Sequence, residues 1–272
     1  MFYTLHHKMA RPLSLNRCFR WVCCCITATI LAACSNISED DRLIYVKPAD
    51  AQRKVLIEDF TGQRCKNCPN AADKIEQLKK EYGEENIIAV GIHSGPLAVY
   101  SRGKILGLRT EEGDVYYDHW GVQEEPTGYI NRTGAISNID QWDKLVREAI
   151  QQPTPVTMNI YGEYSLKDRK IVINVWTLTN KALDAKLQVW ITESGITAQQ
   201  AMPDGSNNPD YVHNHVFRAS VNGTWGTDLH LDEGENKTQT FTFQVPEKWD
   251  MENLNVVAFV YDSSGVLQVC EM

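Results

Sequence analysis

Long apolar runs are missing from this sequence. The run near the N-terminus, from Trp21 to Ala33, is well short of the roughly 20 residues that a membrane-spanning helix needs. Basic residues precede it, namely Lys8, Arg11, Arg17 and Arg20. A basic segment followed by a short apolar run is typical of a cleaved signal peptide. We therefore assign residues 1–33 to a signal peptide rather than to a transmembrane helix.

Basic residues are scarce once that segment is removed. The remaining chain has 23 Lys+Arg against 35 Asp+Glu, a formal charge of −12. A chain this acidic repels the phosphate backbone, so we expect no nucleic-acid partner. Attraction to anionic lipid is disfavoured for the same reason, and attachment to a membrane would require a lipid anchor.

Cysteines are also few in the remaining chain. Cys34 comes first, Cys65 and Cys68 form a C-x-x-C pair, and Cys270 lies at the far end. An exported protein with so few cysteines is not a disulfide-stabilised scaffold, so the close pair is better explained by thiol exchange. Cys270 alternates with Gln268, as expected for an unreactive thiol on an edge strand.

A second metal-binding pair is absent as well. A tetrahedral zinc site needs four ligands, and neither another C-x-x-C nor an H-x3-H pattern occurs. We expect no metal and no cofactor. His213 and His215 would share one face of a strand and form half a metal site with Asp210 or His230, but half-exposed strand histidines are commoner.

Cys65 and Cys68 stand where a strand gives way to a helix. The apolar run from Val55 predicts a buried strand, and Thr61 and Gly62 end it. A helical pattern follows, with apolar residues Ala71, Ile75, Leu78 and Tyr82. A cysteine at a helix N-terminus has its pKa lowered below the free-thiol value of about 8.5. Cys65 is thus the expected attacking thiol and Cys68 the resolving one. A structural disulfide and half of a metal site are the alternatives.

The apolar run from Asn86 to His93 predicts a second, parallel strand. Strand, helix and strand make a right-handed βαβ unit, which brings His93 to the sheet edge that also carries Cys65. Ligands bind at this edge in open α/β sheets. His93 is therefore a candidate proton carrier, and a loop histidine without a role is the alternative.

The period of the pattern changes after residues 151–155. Alternating strands are predicted at 156–164, 171–179, 187–192, 238–245 and 254–261. This favours an immunoglobulin-like antiparallel sandwich over residues 153–272, after an α/β domain over residues 53–152. The stretch from Ser194 to Asp232, rich in turn residues, is predicted to be irregular.

The sequence Leu31-Ala32-Ala33-Cys34 resembles the lipobox of bacterial lipoproteins. This resemblance implies cleavage before Cys34, acylation of its sulfur and an outer-membrane location. Residues 34–52 then form a flexible tether. Its acidic run, Glu39 to Asp41, is similar to surface-export signals of Bacteroidetes lipoproteins but also fits a solvated linker, so the membrane face stays open.

The stretch Gly121-Val122 to Pro126-Thr127, together with Asp59 six residues before Cys65, resembles thioredoxin. The resemblance implies a thioredoxin-like domain in which Pro126 is a cis-proline facing the dithiol. Asp59 would be a buried carboxylate assisting Cys68. Glu125, Thr127 and His93 would line the substrate groove. Glu125 departs from the thioredoxin pattern, and a carboxylate near Cys65 would raise the pKa of that thiol.

The whole mature chain resembles the twenty-eight-kilodalton outer-membrane protein related lipoproteins of Bacteroidetes. The resemblance rests on the lipobox, on the stretch from Glu58 to Pro69 and on the stretch from Tyr211 to Arg218. It implies one of two functions. In the first, the C-x-x-C pair exchanges with thiols or disulfides of envelope proteins. In the second, the protein is a surface-binding or adhesin-like lipoprotein, and the pair is only a structural disulfide.

Overall fold

The computed structural model describes residues 52–272. The predicted signal peptide, acylated Cys34 and nearly all of the predicted tether lie outside this range. The described part contains three α-helices: α1 (Cys68–Tyr82), α2 (Glu111–His119) and α3 (Trp142–Ile150). None of its helices is long and apolar enough to span a membrane.

The rest is mostly β-structure. The strands are β1 (Val55–Thr61), β2 (Ile87–His93), β3 (Thr127–Ile130), β4 (Val156–Ser165), β5 (Lys170–Thr179), β6 (Leu183–Glu193), β7 (Ile196–Ala201), β8 (Asn207–His213), β9 (Val216–Ser220), β10 (Thr227–Leu231), β11 (Asn236–Gln244), β12 (Leu254–Asp262) and β13 (Gly265–Glu271).

The large sheet joins strands from both halves of the chain. Its order is β13-β12-β6-β9-β2-β1-β3, with β10 also paired to β6. β1 runs parallel to β2 and antiparallel to β3. The link between the halves is short, because β2 meets β9 at Gly91 and Val216 only. The Gly91 N–H donates to the His215 carbonyl oxygen at 2.8 Å.

Helices cover both faces of β1 and β2. Alternate residues of the two strands point to opposite sides, which explains why both strands are buried throughout. On one face Ile57 and Ala89 pack with α1 and α3 in a core that includes Trp142. On the other face Leu56 and Val90 share a core with Tyr116 of α2.

The three-stranded sheet β11-β5-β4 packs against the large sheet. Inward-facing residues of β4 and β5, such as Val156 and Ile173, share one core with Val189 of β6 and Val256 of β12. Cys270 lies in β13 at the edge of the large sheet. It is buried, and its thiol donates to the Met158 carbonyl oxygen at 3.3 Å.

The predicted strands from Val55 and Asn86, the helix after Cys68 and the alternating strands of the second half each correspond to an observed element, but the prediction for one stretch was wrong. Residues 194–232 were expected to be irregular and instead contain strands β7 to β10. β7 and β8 form a separate two-stranded hairpin in which β7 buries the polar Gln200 and β8 is largely exposed, so neither strand shows the alternation of apolar and polar residues that marks a half-buried strand. Pro209 lies within β8, which is tolerated because β8 is an edge strand.

Candidate functional site

Cys65 and Cys68 are joined by a disulfide bond, with the sulfur atoms 2.11 Å apart. Cys65 lies in the turn after β1, where its N–H donates to the Gly62 carbonyl oxygen at 3.0 Å. Cys68 is the first residue of α1. The sequence had predicted that this helix begins at Cys65. That prediction is wrong, because the helix begins at the second cysteine, Cys68. Pro69 explains the difference. Proline has no backbone N–H and is therefore favoured in the first turn of a helix, where the N–H groups have no partner within the helix, so the helix starts next to Pro69.

The disulfide is covered by neighbouring backbone. Cys65 is 2% exposed and Cys68 is 4% exposed. The Arg64 N–H donates to the Leu97 carbonyl oxygen at 2.9 Å. Gly62 permits this approach, because a Cβ there would lie 2.5 Å from the Leu97 carbonyl carbon. The segment after β2 thus packs directly on the turn that carries Cys65.

Glu125 lies next to the disulfide. One of its carboxylate oxygens and the sulfurs of Cys65 and Cys68 all lie within 4.8 Å of one another. Neither Glu125 oxygen has a hydrogen-bond partner among the described residues. Burial, and then the nearby charge of Asp59, raise the pKa of Glu125 to about 8. The peptide bond from Glu125 to Pro126 is cis.

Asp59 is a second buried carboxyl group at this site. It lies near the end of β1, is 5% exposed and faces the same pocket as Cys68. Its Oδ1 has no hydrogen-bond partner in the described part of the chain. Burial raises the pKa of Asp59 to about 7. Two carboxyl groups that change charge near neutral pH therefore lie beside the disulfide, and such groups are suited to proton transfer.

His93 and Thr127 occupy different sides of the site. His93 is the last residue of β2 and lines the pocket beside Cys68. Burial, with the neighbouring His213 and Arg218, holds the pKa of His93 well below its usual range. Thr127 is the first residue of β3 and is buried, with its hydroxyl donating to the Glu124 carbonyl oxygen at 2.7 Å. The hydroxyl is thus committed to the backbone.

Two glutamines that the sequence did not single out tie β7 to the cysteine-bearing turn. The Gln200 amide donates to the Cys65 carbonyl oxygen at 2.8 Å. The Gln63 amide donates to the carbonyl oxygens of Leu106 and Gln199, and its side-chain oxygen accepts the Leu108 N–H at 3.0 Å. The sequence gives no local signal that these two glutamines are buried, because a glutamine in a polar stretch is normally predicted to be exposed.

Metal-ligating side chains converge at one place in residues 52–272, namely Cys65, Cys68 and Glu125. Sulfur atoms that are joined in a disulfide bond are not thiolates and do not act as thiolate ligands of a metal. His213 and His215 form no such set with Asp210 or His230. His215 instead hydrogen-bonds to Lys79, and His230 is exposed beside Asp184.

These features define a mostly β protein with mixed and antiparallel sheets and a C-x-x-C disulfide that has two buried carboxyl groups in its surroundings. The family described as Outer membrane protein Omp28 matches residues 113–272. The match spans more than half of the chain, and the chain belongs to this family of outer-membrane proteins. The resemblance seen in the sequence is thereby confirmed. No curated protein matches the chain.

Two solved structures from Porphyromonas gingivalis are similar to this chain. HBP35 is 16% identical, with a TM-score of 0.63 over 83% of this chain and 76% of HBP35, and it shares the fold. A domain of the outer membrane lipoprotein Omp28 is 24% identical, with a TM-score of 0.31 over 44% of this chain and 87% of that domain.

Proposed function

We propose that this Omp28-family protein exchanges thiols and disulfides of other proteins at the cell envelope. The observation that carries the proposal is the placement of two buried carboxyl groups without hydrogen-bond partners at the disulfide, Glu125 near both sulfurs and Asp59 in the pocket of Cys68. Burial raises their pKa values to about 8 and about 7. Exchange needs a group that removes and returns the thiol proton, and a pKa near the working pH serves this best. A purely structural disulfide has no use for such groups.

The reaction starts from the reduced pair. The Cys65 thiolate attacks a substrate disulfide, forming a mixed disulfide and releasing one substrate thiolate. Asp59 takes the proton from the Cys68 thiol. The Cys68 thiolate then attacks the Cys65 sulfur and releases the second substrate thiolate. Two electrons pass from the pair to the substrate, and the Cys65–Cys68 disulfide forms. Pro126 and Thr127 shape the groove beside it.

The finer architecture belongs to the same proposal. The parallel pair β1 and β2 with α1 between them, and antiparallel β3, supports a thioredoxin-like unit over residues 53–152. The shared core of the two sheets supports an immunoglobulin-like sandwich over residues 153–272. The two units contribute to one sheet, and Gln200 of β7 contacts the cysteine-bearing turn through the Cys65 carbonyl oxygen.

Burial of the sulfurs favours a second candidate. With Cys65 and Cys68 almost fully covered, the protein would be a binding or adhesin-like lipoprotein whose disulfide only stabilises the turn. Exchange, in contrast, requires the segment that contacts Gly62 and Arg64 to move aside so that a substrate reaches Cys65. The two candidates therefore differ in whether Cys65 ever forms a bond to another protein.

The Cys68→Ser variant separates them. Without a resolving thiol, we expect Cys65 to accumulate mixed disulfides with envelope proteins, visible as reducible high-mass species and identified by mass spectrometry. A Cys65→Ser/Cys68→Ser chain is the matched control and should form none. If the single variant forms no adduct although its Cys65 thiol reacts with a small alkylating agent, exchange is ruled out and the binding function stands.

We propose further that Cys34 carries the lipid that anchors the chain in the outer membrane. Radiolabelled palmitate should enter the parent chain and be absent from a Cys34→Ala chain, which we expect in the soluble envelope fraction. Label persisting in the Cys34→Ala chain would contradict this anchor. Because one acyl chain binds a bilayer only marginally, more than one chain per protein is expected by mass.

A further inference from the structure

A pocket of about 210 Å³ lies behind the disulfide. Residues of α1, of β1 and β2, and of β8 with the loop that follows it line this pocket. Cys68 and Asp59 line its inner end, and Val212, which is 50% exposed, lines it as well. Glu125 is not among the residues that line it, so the pocket is separate from the Glu125 side of the disulfide.

Several buried polar atoms in this pocket have no partner. Among the described residues, no hydrogen bond satisfies Asp59 Oδ1, His93 Nδ1 or His213 Nε2. All three side chains are about 5% exposed or less. Buried polar groups are nearly always paired, and unpaired groups in a polar cavity of sufficient size are the usual ligands of internal water. At about 30 Å³ per molecule, the pocket has room for several waters.

The two histidines lie close together and come from different halves of the chain. Their ring centroids are 5.2 Å apart. Burial lowers the pKa of His213 to about 4, against hydrogen bonds with the backbone of Ala198 and Gln199. His93 is likewise held neutral. A neutral imidazole offers one donor and one acceptor nitrogen, which suits it to hold a water at either side.

We propose that His93 and His213 hold a chain of water molecules in this pocket that carries protons between Asp59 and solvent. This inference rests on the proposed exchange function and deepens it. When Cys68 attacks, its proton moves to Asp59. Before the next cycle that proton leaves through the water chain, and reduction of the disulfide draws one inward by the same route. The histidines are positioning residues because they act through water and Asp59.

Other charged and titratable groups face the pocket or act on its members. They are Asp73 and Glu76 of α1, Tyr211 of β8, His215 with its partner Lys79, Arg218 near His93, and Glu125 near Asp59. Asp73 and Glu76 are acidic, so the pocket attracts protons from solvent. His215 is held neutral, since burial and the charge of Lys79 lower its pKa to about 4.

The test measures how fast the mixed disulfide is resolved, with the full chain and a dye-labelled peptide disulfide, in dilute buffer. Compared with the parent, His213→Gln should resolve on the order of tenfold more slowly near the Asp59 pKa of about 7. Added imidazole, small enough to enter the pocket, should restore the rate. His230→Gln, at an exposed histidine outside the pocket, is the control and should match the parent. A loss in His213→Gln that is equal at every pH and insensitive to imidazole would show a structural role only.

Because His213 is buried, the His213→Gln variant could lose activity by misfolding. A second variant at the exposed Val212 controls for this. Val212→Trp places a large ring on an exposed position of the pocket and should slow resolution as His213→Gln does, whereas Val212→Ala should not. Unchanged resolution in both His213→Gln and Val212→Trp would refute the water chain while leaving exchange intact. Failure of the parent chain to form any mixed disulfide would instead refute the exchange function itself.

Discussion

The Asp59→Asn variant is expected to be more stable than the parent by about 4 kcal/mol near pH 8. Burial raises the pKa of Asp59 from 3.8 to about 7. The folded state therefore keeps a proton that the unfolded state loses between these values. The stabilising contribution of the protonated group is complete below about pH 3.8 and is lost as the pH rises through about 7. Above that, the folded protein contains a buried charge that asparagine removes.

The measurement is urea unfolding of both chains at several pH values. The difference in the free energy of unfolding should grow from near zero around pH 4 to its full size near pH 8. Asp73→Asn, at an exposed carboxylate on α1 beside the same pocket, should change stability by less than about 0.5 kcal/mol. A difference for Asp59→Asn that stays constant with pH would show that Asp59 is not buried as a neutral acid.

The same variant connects stability to function. Removing the charge of Asp59 also lowers the pKa of Glu125, because that charge is one of the causes that raise it. The proposed exchange loses the group that takes the Cys68 proton. The ionised Asp59 thus lowers the stability of the folded protein but is needed for the proposed proton transfer, which is the expected trade-off between activity and stability.

Arg132→Met is expected to lower the free energy of unfolding by about 3–5 kcal/mol. Arg132 and Glu58 form a buried ion pair, with two nitrogens of Arg132 donating to the Glu58 oxygens at 2.9 and 2.7 Å. Their side chains are 2% and 0% exposed. The guanidinium is also surrounded by the rings of Trp120, Trp190, Phe259 and Tyr261. Methionine fills this space but leaves the Glu58 carboxylate buried without a partner.

Denaturant unfolding measures this effect, with two controls. Removing both charges, in Glu58→Leu/Arg132→Met, should recover most of the loss, because an apolar pair of similar volume can replace a buried ion pair. Lys186→Met, which breaks the exposed pair with Asp228, should cost less than about 1 kcal/mol. Equal losses from the buried and exposed substitutions would contradict the role of burial.

Much of the fold was readable from local patterns. The apolar run at Val55, the helical spacing after Cys68 and the alternating runs from Val156 onward each correspond to an observed element. They were readable because each buries one regular face, and the period of a strand or helix determines which residues share that face. Strands β7 and β8 were not predicted because a polar residue, Gln200, occupies a buried position of β7 and most of β8 is exposed.

The site divides in the same way. The C-x-x-C pair and the position of Asp59 on the preceding strand could be predicted from residues near one another in the chain, whereas the family was recognised from several separate stretches. Tertiary packing alone places Glu125 beside both sulfurs, covers the disulfide, and brings Gln200 and His213 from the second half of the chain to the site. The physical reason is that each of these contacts joins residues far apart in sequence, as where the Gln200 amide donates to the Cys65 carbonyl oxygen, and no local pattern encodes such a contact.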